Sequence, residues 1–266
     1  MINADNFICI DNVNVSLYRI FPIDRFCELL KTGQTVLVRP ELWDDPFENI
    51  LSCCGISDTS KTPFEGHFFG NMRRPLYAQC WSMAKESDTL LRAYSIVKKD
   101  ETGRNRFREL EGVQVKTTAR KLPEVLWKSI PTNPAETCFL GKVKYQPESE
   151  LLQYFHNEIV LHRLQAFDEA LSYAGSILRK RVFFSHEQEV RLIHIGNAST
   201  PSKTFGIPVN PNDLFDEVII DPRLATAERL ERRDEIIKLG YSGLVETEAK
   251  FYQKIFWNIH LDLSKK

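Results

Sequence analysis

The spacing of apolar and polar residues predicts short strands and a smaller number of amphipathic helices. Alternating or continuous apolar runs predict strands near 15–21, 35–38, 76–82, 112–118, 139–145, 187–195, 218–220 and 254–262. Helical periodicity predicts helices over 23–32, 87–97, 148–174 and 225–239, and one more after residue 118. Segments 55–75 and 98–111 are expected to be irregular. Strands outnumber clear crossover helices, so we expect an α+β fold, a single domain over 1–266 with one mixed sheet and flanking helices.

Two of these helices have predicted boundaries. Pro22 is expected to open the first helix and Gly33 to end it, because apolar residues recur at the spacing of one helix face, Ile23, Phe26, Cys27 and Leu30. The apolar positions between 148 and 174 predict one long amphipathic helix without a break.

The strand near 187–195 contains charged residues among its aliphatic positions. Glu187, Glu189 and Arg191 occupy alternate positions, so on an extended strand all three side chains project from one face. Charges on a core strand are unfavourable unless they are paired or face a cleft. This pattern predicts a solvated edge-strand face, a salt bridge between Glu189 and Arg191, or the wall of a functional site.

Composition limits the partners. The 266 residues include 35 basic and 36 acidic side chains, a net charge of −1, so no overall field attracts nucleic acid or a membrane. Any positive surface must be local, and the cluster Arg179, Lys180 and Arg181 is the main candidate. The six cysteines lack metal-site spacing, and neither a signal peptide nor an apolar membrane span is evident. These features predict a cytoplasmic protein with reduced thiols.

Several common motifs are absent from the sequence. It contains no Gly-rich dinucleotide fingerprint, phosphate-binding loop, zinc-protease helix or nucleophile elbow. His186 is expected to be a hydrogen-bonded structural residue. Three groups of residues remain as candidates. Arg19 lies in an apolar strand, 44–48 is an acidic turn beside Pro46, and 79–82 is a strand followed by the helix N-cap candidate Ser87.

Six short segments occur in a particular order along the chain. They are 17–19, 43–48, 80–87, 112–118, 141–145 and 180–191. In this order they resemble the bacterial domain of unknown function 2971 family over about residues 15–245. That resemblance implies no settled activity.

A strand arginine, a helix ending in glycine and a late Glu-x-Glu strand are also similar to ADP-ribosyltransferases of the Arg–Ser–Glu type. This resemblance implies an ADP-ribosyltransferase-like core, with NAD as a substrate and no metal. Glu189 would be catalytic, Glu187 would act on the acceptor, and Arg19 would hold NAD. Ser82, or instead Thr117 or Thr118, would form the middle element of the motif. Further cofactor contacts are expected from Trp81 and Arg191.

The leading hypothesis is therefore an NAD-dependent ADP-ribosyltransferase, a bacterial toxin or antiphage effector with an antitoxin or defence-system partner. Lys180 and Arg181 would guide a macromolecular acceptor, protein or nucleic acid. One alternative is a metal-dependent nuclease or phosphodiesterase, in which Asp44, Asp45 or Glu48 joins the two glutamates around Mg²⁺. The other is a non-catalytic binding module whose aromatic residues belong to the core.

Overall fold

The computed structural model describes residues 3–58, 65–68, 74–130, 134–197, 202–248 and 257–260. In these residues it contains one ten-stranded mixed sheet, two separate two-stranded sheets and flanking helices. The predicted α+β class with a mixed sheet is confirmed.

The strands are short, and most lie where apolar runs predict them. They are β1 (Phe7–Ile8), β2 (Ser16–Pro22), β3 (Gln34–Val38), β4 (Gly55–Asp58), β5 (Glu65–Phe68), β6 (Leu76–Ser82), β7 (Gly112–Thr118), β8 (Cys138–Lys142), β9 (Lys144–Gln146), β10 (Arg179–Arg181), β11 (Glu189–Ile195), β12 (Thr204–Pro208), β13 (Glu217–Ile220) and β14 (Leu244–Glu246). The helices are α1 (Ile23–Thr32), α2 (Ile50–Cys53), α3 (Asp88–Tyr94), α4 (Lys121–Ser129), α5 (Glu148–His162), α6 (Ala170–Ser176), α7 (Pro211–Leu214) and α8 (Thr226–Lys238).

The large sheet has the strand order β1-β8-β11-β6-β2-β7-β13-β14. β3 pairs with β6, and β12 pairs with β3, away from this main path. β11 lies in the interior, antiparallel to both β6 and β8. Its charged residues therefore lie within the sheet and not at a solvated edge.

Apolar residues cover both faces of the sheet. Val190 and Leu192 belong to one hydrophobic cluster, whereas Ile193 and Ile195, of opposite parity on β11, belong to a second. Glu189 and Arg191 share the parity of Ile193, so their side chains project from the same face of the sheet as the second cluster. At this end of β11 the face is charged and not apolar.

Helix α1 forms as its sequence predicts. Ile23, Phe26 and Leu29 are buried on its inner face. Gly33 follows with a φ of 62°, and its N–H donates to the Leu29 carbonyl. Glycine adopts this left-handed conformation without steric cost, which ends the helix.

The single helix predicted over 148–174 is wrong. α5 ends at His162, and Arg163 and Phe167 take positive φ values of 51° and 61° before α6 begins. The break allows the Phe167 side chain to enter the second hydrophobic cluster. There the centre of its ring lies 5.8 Å from that of Phe155. Burial of this large side chain outweighs the local helical preference.

Other differences concern weak local signals. The segment expected to be irregular near 55–75 includes the paired strands β4 and β5, and neither β12 nor β14 was predicted. Of the strand predicted near 254–262, only 257–260 lie in the described residues, and these have no regular structure. None of the described helices combines the length and apolar composition needed to cross a membrane.

Candidate active site

A cavity of about 650 Å³ lies where β2 and β6 separate. The two strands share one residue pair, Tyr18 with Ser82, after which β6 pairs with β3 through Ala78 and Val38. The cavity is lined by residues of β2 and β6, of the segment before α2, and of the chain from β10 to the start of β11. They include Arg19, Trp43, Asp45, Glu48, Cys80, Ser82, Lys180, Phe184, Glu187 and Glu189. Sequence-predicted residues from distant parts of the chain thus meet at one cavity.

Glu189 and Arg191 form a buried ion pair at the start of β11. Nε of Arg191 lies 2.9 Å from Oε1 of Glu189, and Nη2 lies 3.0 Å from Oε2. The guanidinium also donates to the carbonyl of Ile177 and lies 4.3 Å from the centre of the Trp43 ring. The predicted salt bridge between Glu189 and Arg191 is therefore present, in the interior of the sheet, and the paired Glu189 also lines the cavity.

Gly141 makes room for this arrangement. It pairs with Arg191 in the sheet, and a Cβ atom there would lie 2.1 Å from Cδ1 of Leu178. Leu178 can therefore pack directly against β8, beside the Ile177 carbonyl that receives the Arg191 hydrogen bond.

Glu187 does not lie on the strand, so the prediction that three charged side chains alternate along one face is wrong for this residue. It ends a 3₁₀ helix (Val182–Glu187), and Gln188 turns the chain with a φ of 45°. The Ser82 hydroxyl donates to the carbonyl of Glu187 at 2.6 Å. The turn still directs the Glu187 carboxylate to the same cavity as Glu189.

Lys180 is surrounded by carboxylates. Its Nζ lies 2.6 Å from Oε2 of Glu187, 3.0 Å from Oε1 of Glu48 and 3.3 Å from Oε2 of Glu189. Arg181 contacts Asp45 at 3.1 Å. The expectation that 179–181 forms a local positive surface is therefore corrected for Lys180 and Arg181, because acidic partners neutralise both.

Glu48 is a member of this cluster that the Arg–Ser–Glu resemblance did not include. Asp45 caps the short 3₁₀ helix (Pro46–Asn49) by accepting from the N–H of Phe47, as the turn motif predicts. That turn places Glu48 inside, where its carboxylate joins Lys180 to Arg191. The sequence signal was the acidic turn itself, which on its own favours an exposed position.

The surroundings shift the pKa values of the two buried carboxyls in opposite directions. Burial would raise the pKa of Glu189, but the charges and hydrogen bonds of Arg191, with the charge of Lys180, hold it below its ordinary value. Burial raises the pKa of Glu48 despite the same two cations. Glu189 is therefore ionised at neutral pH.

Arg19 contributes a cation on the other side of the cavity. Its guanidinium carbon lies 4.6 Å from the centre of the Phe21 ring. Its Nη1 is among three buried side-chain nitrogen atoms that lack a hydrogen-bond partner in the described residues. Burial lowers the pKa of Arg19 to about 10, which leaves it charged at neutral pH.

Cys80 interacts electrostatically with both Arg19 and Glu189. Burial first, and then Glu189, raise the pKa of its thiol well above the ordinary value. The thiol is therefore protonated at neutral pH.

The remaining candidates have structural partners. The Trp81 indole donates to Oε1 of Gln79 at 2.9 Å, and the ring belongs to the core while touching the cavity. Ser87 caps α3 as predicted. Thr117 is fully buried and donates to the Leu214 carbonyl at 2.7 Å. Neither it nor Thr118 is among the described residues that line the cavity, so Ser82 is the middle-motif candidate found there.

Glu48, Glu187 and Glu189, three of the carboxylates named for a metal ion, converge instead on Lys180 and Arg191. In the described part of the chain, no group of three or more His, Cys, Asp or Glu side chains is arranged as a metal site.

Comparison with known proteins gives distant similarities. No protein-family model matches the chain, so the resemblance to the domain of unknown function 2971 family gains no support, and no curated protein matches it. Structures of Thermus sp. 2.9 DarT are similar at 10% identity, in complex with ADP-ribosylated ssDNA (TM-score 0.38, 90% of this chain and 97% of that chain), carba-NAD+ (0.37, 91% and 100%) and NAD+ (0.34, 88% and 96%). A likeness at these TM-scores establishes neither a shared fold nor a shared activity.

Proposed function

We propose that this protein is an NAD-dependent ADP-ribosyltransferase. One observation supports it above the others: an ionised carboxylate, Glu189, and an arginine with an unpartnered buried nitrogen, Arg19, face one cavity. Such a cavity suits a ligand with an anionic part and a part that becomes cationic during reaction. NAD has both, in its pyrophosphate and in the ribose carbon bonded to nicotinamide. The cavity volume lies within the range of about 300–1,000 Å³ of small-molecule sites.

The proposed reaction breaks the bond between C1′ of the ribose and the nicotinamide nitrogen. The electron pair leaves with nicotinamide, which becomes neutral, and the ribose passes through an oxocarbenium-like state. Glu189 stabilises that positive charge, since Arg191 fixes its position and keeps it ionised. Arg19 pairs with phosphate oxygens through its planar guanidinium.

The acceptor's nucleophilic atom then bonds to C1′ and loses one proton, which goes to a base. Glu187 is the proposed base, because its carboxylate lies at the cavity and is less buried than that of Glu189. Without an acceptor, water takes this place and the products are ADP-ribose and nicotinamide.

A macromolecular acceptor, and a toxin or antiphage role with a neutralising partner, belong to this proposal through the Arg–Ser–Glu resemblance alone. The acidic surroundings of Lys180 and Arg181 give no support to their guiding a nucleic acid. Among the described residues, no group of side chains favours the metal-dependent alternative.

Release of nicotinamide from NAD by the purified protein tests the proposal. Glu189→Gln should lower this rate by about 10²-fold or more, because the amide keeps the size of the side chain but loses the charge that faces the oxocarbenium ion. Glu109→Gln, at an exposed position outside the cavity, is the matched control and should retain the wild-type rate. A folded Glu189→Gln variant with wild-type turnover would refute the role of Glu189, and no release by the wild type would refute the function.

A further inference from the structure

We propose that Lys180 is a positioning residue, whose buried ammonium holds the carboxylates of Glu187 and Glu189 together at the cavity. This inference rests on the proposed function for its kinetic consequences, but not for its geometry. Lys180 was expected to contact an acceptor, whereas the role proposed here lies inside the site.

The ammonium is well matched to its surroundings. Lysine has three N–H donors and no acceptor, and three carboxylate oxygens, from Glu48, Glu187 and Glu189, lie within 3.3 Å of Nζ. The Phe184 ring lies 4.7 Å away, and the residue is only 6% exposed. With its three donors facing these oxygens, the ammonium is poorly placed to bind an incoming anion.

The backbone around Lys180 is built to reach Glu189. β10 pairs with β9 in parallel, and Lys180 lies opposite Tyr145 in that pair. The Tyr145 hydroxyl accepts the N–H of Glu189 at 2.8 Å. The small β9–β10 sheet therefore contacts Glu189 twice, through the Tyr145 hydroxyl at its backbone and through the Lys180 ammonium at its carboxylate.

The charge balance explains why an ammonium is needed. Glu48, Glu187 and Glu189 carry three negative charges against the two positive charges of Lys180 and Arg191, a net charge of −1. Without Lys180, Arg191 would still contact Glu48 and Glu189, but Glu187 would lose this ion pair. Like charges in one site raise carboxyl pKa values, so removal of Lys180, whose charge helps to lower the pKa of Glu189, would favour protonation of that carboxyl.

Lys180→Met, which keeps length and removes charge, tests this role. Nicotinamide release should fall about 100-fold in kcat at pH 7, with KM for NAD changed less than about threefold because Arg19 still holds the phosphates. The acid limb of the kcat–pH profile should move upward by about one pH unit or more as the glutamates become harder to ionise. Lys144→Met, an exposed lysine on the neighbouring strand β9, is the control and should show neither change.

A second measurement does not depend on activity. In Lys180→Met, a carboxyl whose folded pKa exceeds its unfolded value stabilises the fold at low pH and loses that contribution as pH rises. The variant should therefore be less stable than the wild type by an amount that increases from pH 5 to pH 8. Urea denaturation of both proteins measures this difference in unfolding free energy. Lys180→Gln should show a smaller pH-dependent difference in unfolding free energy. This variant replaces Lys180→Met in the experiment if the methionine variant does not fold.

These measurements separate the two proposals. A pH-independent stability difference, or wild-type kcat with an unshifted acid limb, would overturn the role of Lys180. If the wild type releases no nicotinamide, the proposed function fails, while the denaturation series still decides whether Lys180 keeps the carboxylates ionised.

Discussion

Arg19 keeps a buried guanidinium nitrogen without a hydrogen-bond partner in the described residues. An unsatisfied buried donor is unfavourable by about 1–3 kcal/mol, and more when it is charged. A ligand oxygen that reaches Nη1 removes this penalty.

Arg19→Lys should weaken NAD binding by about tenfold or more, with little loss of fold stability. Lysine keeps the charge but cannot grip two phosphate oxygens with one planar group. Titration calorimetry of NAD against both proteins measures the affinity, and urea denaturation measures the fold. Equal affinities would return Arg19 to a purely structural role beside Phe21.

Residue patterns predicted the Glu189–Arg191 pair, because two positions on a strand determine that both side chains share a face. They could not predict that Glu48 binds Arg191, since 143 residues separate the two along the chain. Nor could they show that Lys180 is neutralised. A basic cluster in a sequence reveals charge but not the acidic partners that folding brings to it.

The turn before β11 determines where the two glutamates point. Gln188 has a left-handed backbone with a φ of 45° between the 3₁₀ helix and the strand. Residues other than glycine seldom adopt this conformation, and β-branched residues do so least. The strain is located between the two carboxylates proposed to act on NAD and the acceptor.

Gln188→Gly should keep the rate of nicotinamide release and maintain or raise stability, because glycine adopts positive φ freely. Gln188→Val should lower the free energy of unfolding by about 1–2 kcal/mol and reduce release, since the turn shifts to relieve the clash. Urea denaturation and the nicotinamide assay on both variants provide the comparison. If valine is tolerated as well as glycine, the conformation of the turn does not position Glu187.

Elements with strong local signals were predicted well. α1 has its Pro22 start, its buried face and its Gly33 end in the sequence. The break between α5 and α6 has no glycine or proline at Arg163 or Phe167, the two residues with positive φ. Packing of Phe167 against Phe155 produces it, and such a contact between neighbouring segments is invisible to helical periodicity.

His194 links the pH dependence of stability to the centre of the sheet. The residue is buried on β11, with its ring 4.3 Å from that of Phe205. Burial lowers the pKa of His194 from 6.5 to about 4. Between these two values the unfolded chain binds more protons than the folded one, so stability falls as pH falls.

We expect wild-type unfolding free energy to decrease by up to about 3 kcal/mol from pH 7 to pH 4 through this residue. His194→Phe, which cannot be protonated and fits an aromatic neighbourhood, should lose less stability over the same interval. Urea denaturation at several pH values gives both curves. Parallel curves would show that His194 does not titrate differently in the two states.

The α+β class followed from counting strands and helices, but the strand order did not. β11 lies between β6 and β8, strands more than 40 residues away in sequence. Such pairing depends on which buried faces fit together across the sheet, and local patterns do not contain that information. The Arg–Ser–Glu resemblance grouped the candidate residues, and folding brings Arg19, Ser82, Glu187 and Glu189 to one cavity. Arg191, expected to contact the cofactor, is instead fully buried behind Glu189 and is not among the described residues of the cavity wall.

Strands β2 and β6 of the large sheet are joined through one residue pair, Tyr18 with Ser82. On one side lie β2, β7, β13 and β14, and on the other lie β6, β11, β8 and β1. Arg19 belongs to the first group and Glu189 to the second. A ligand that binds both residues would therefore link the two halves of the sheet. Part of its binding energy would then stabilise the position of one half relative to the other.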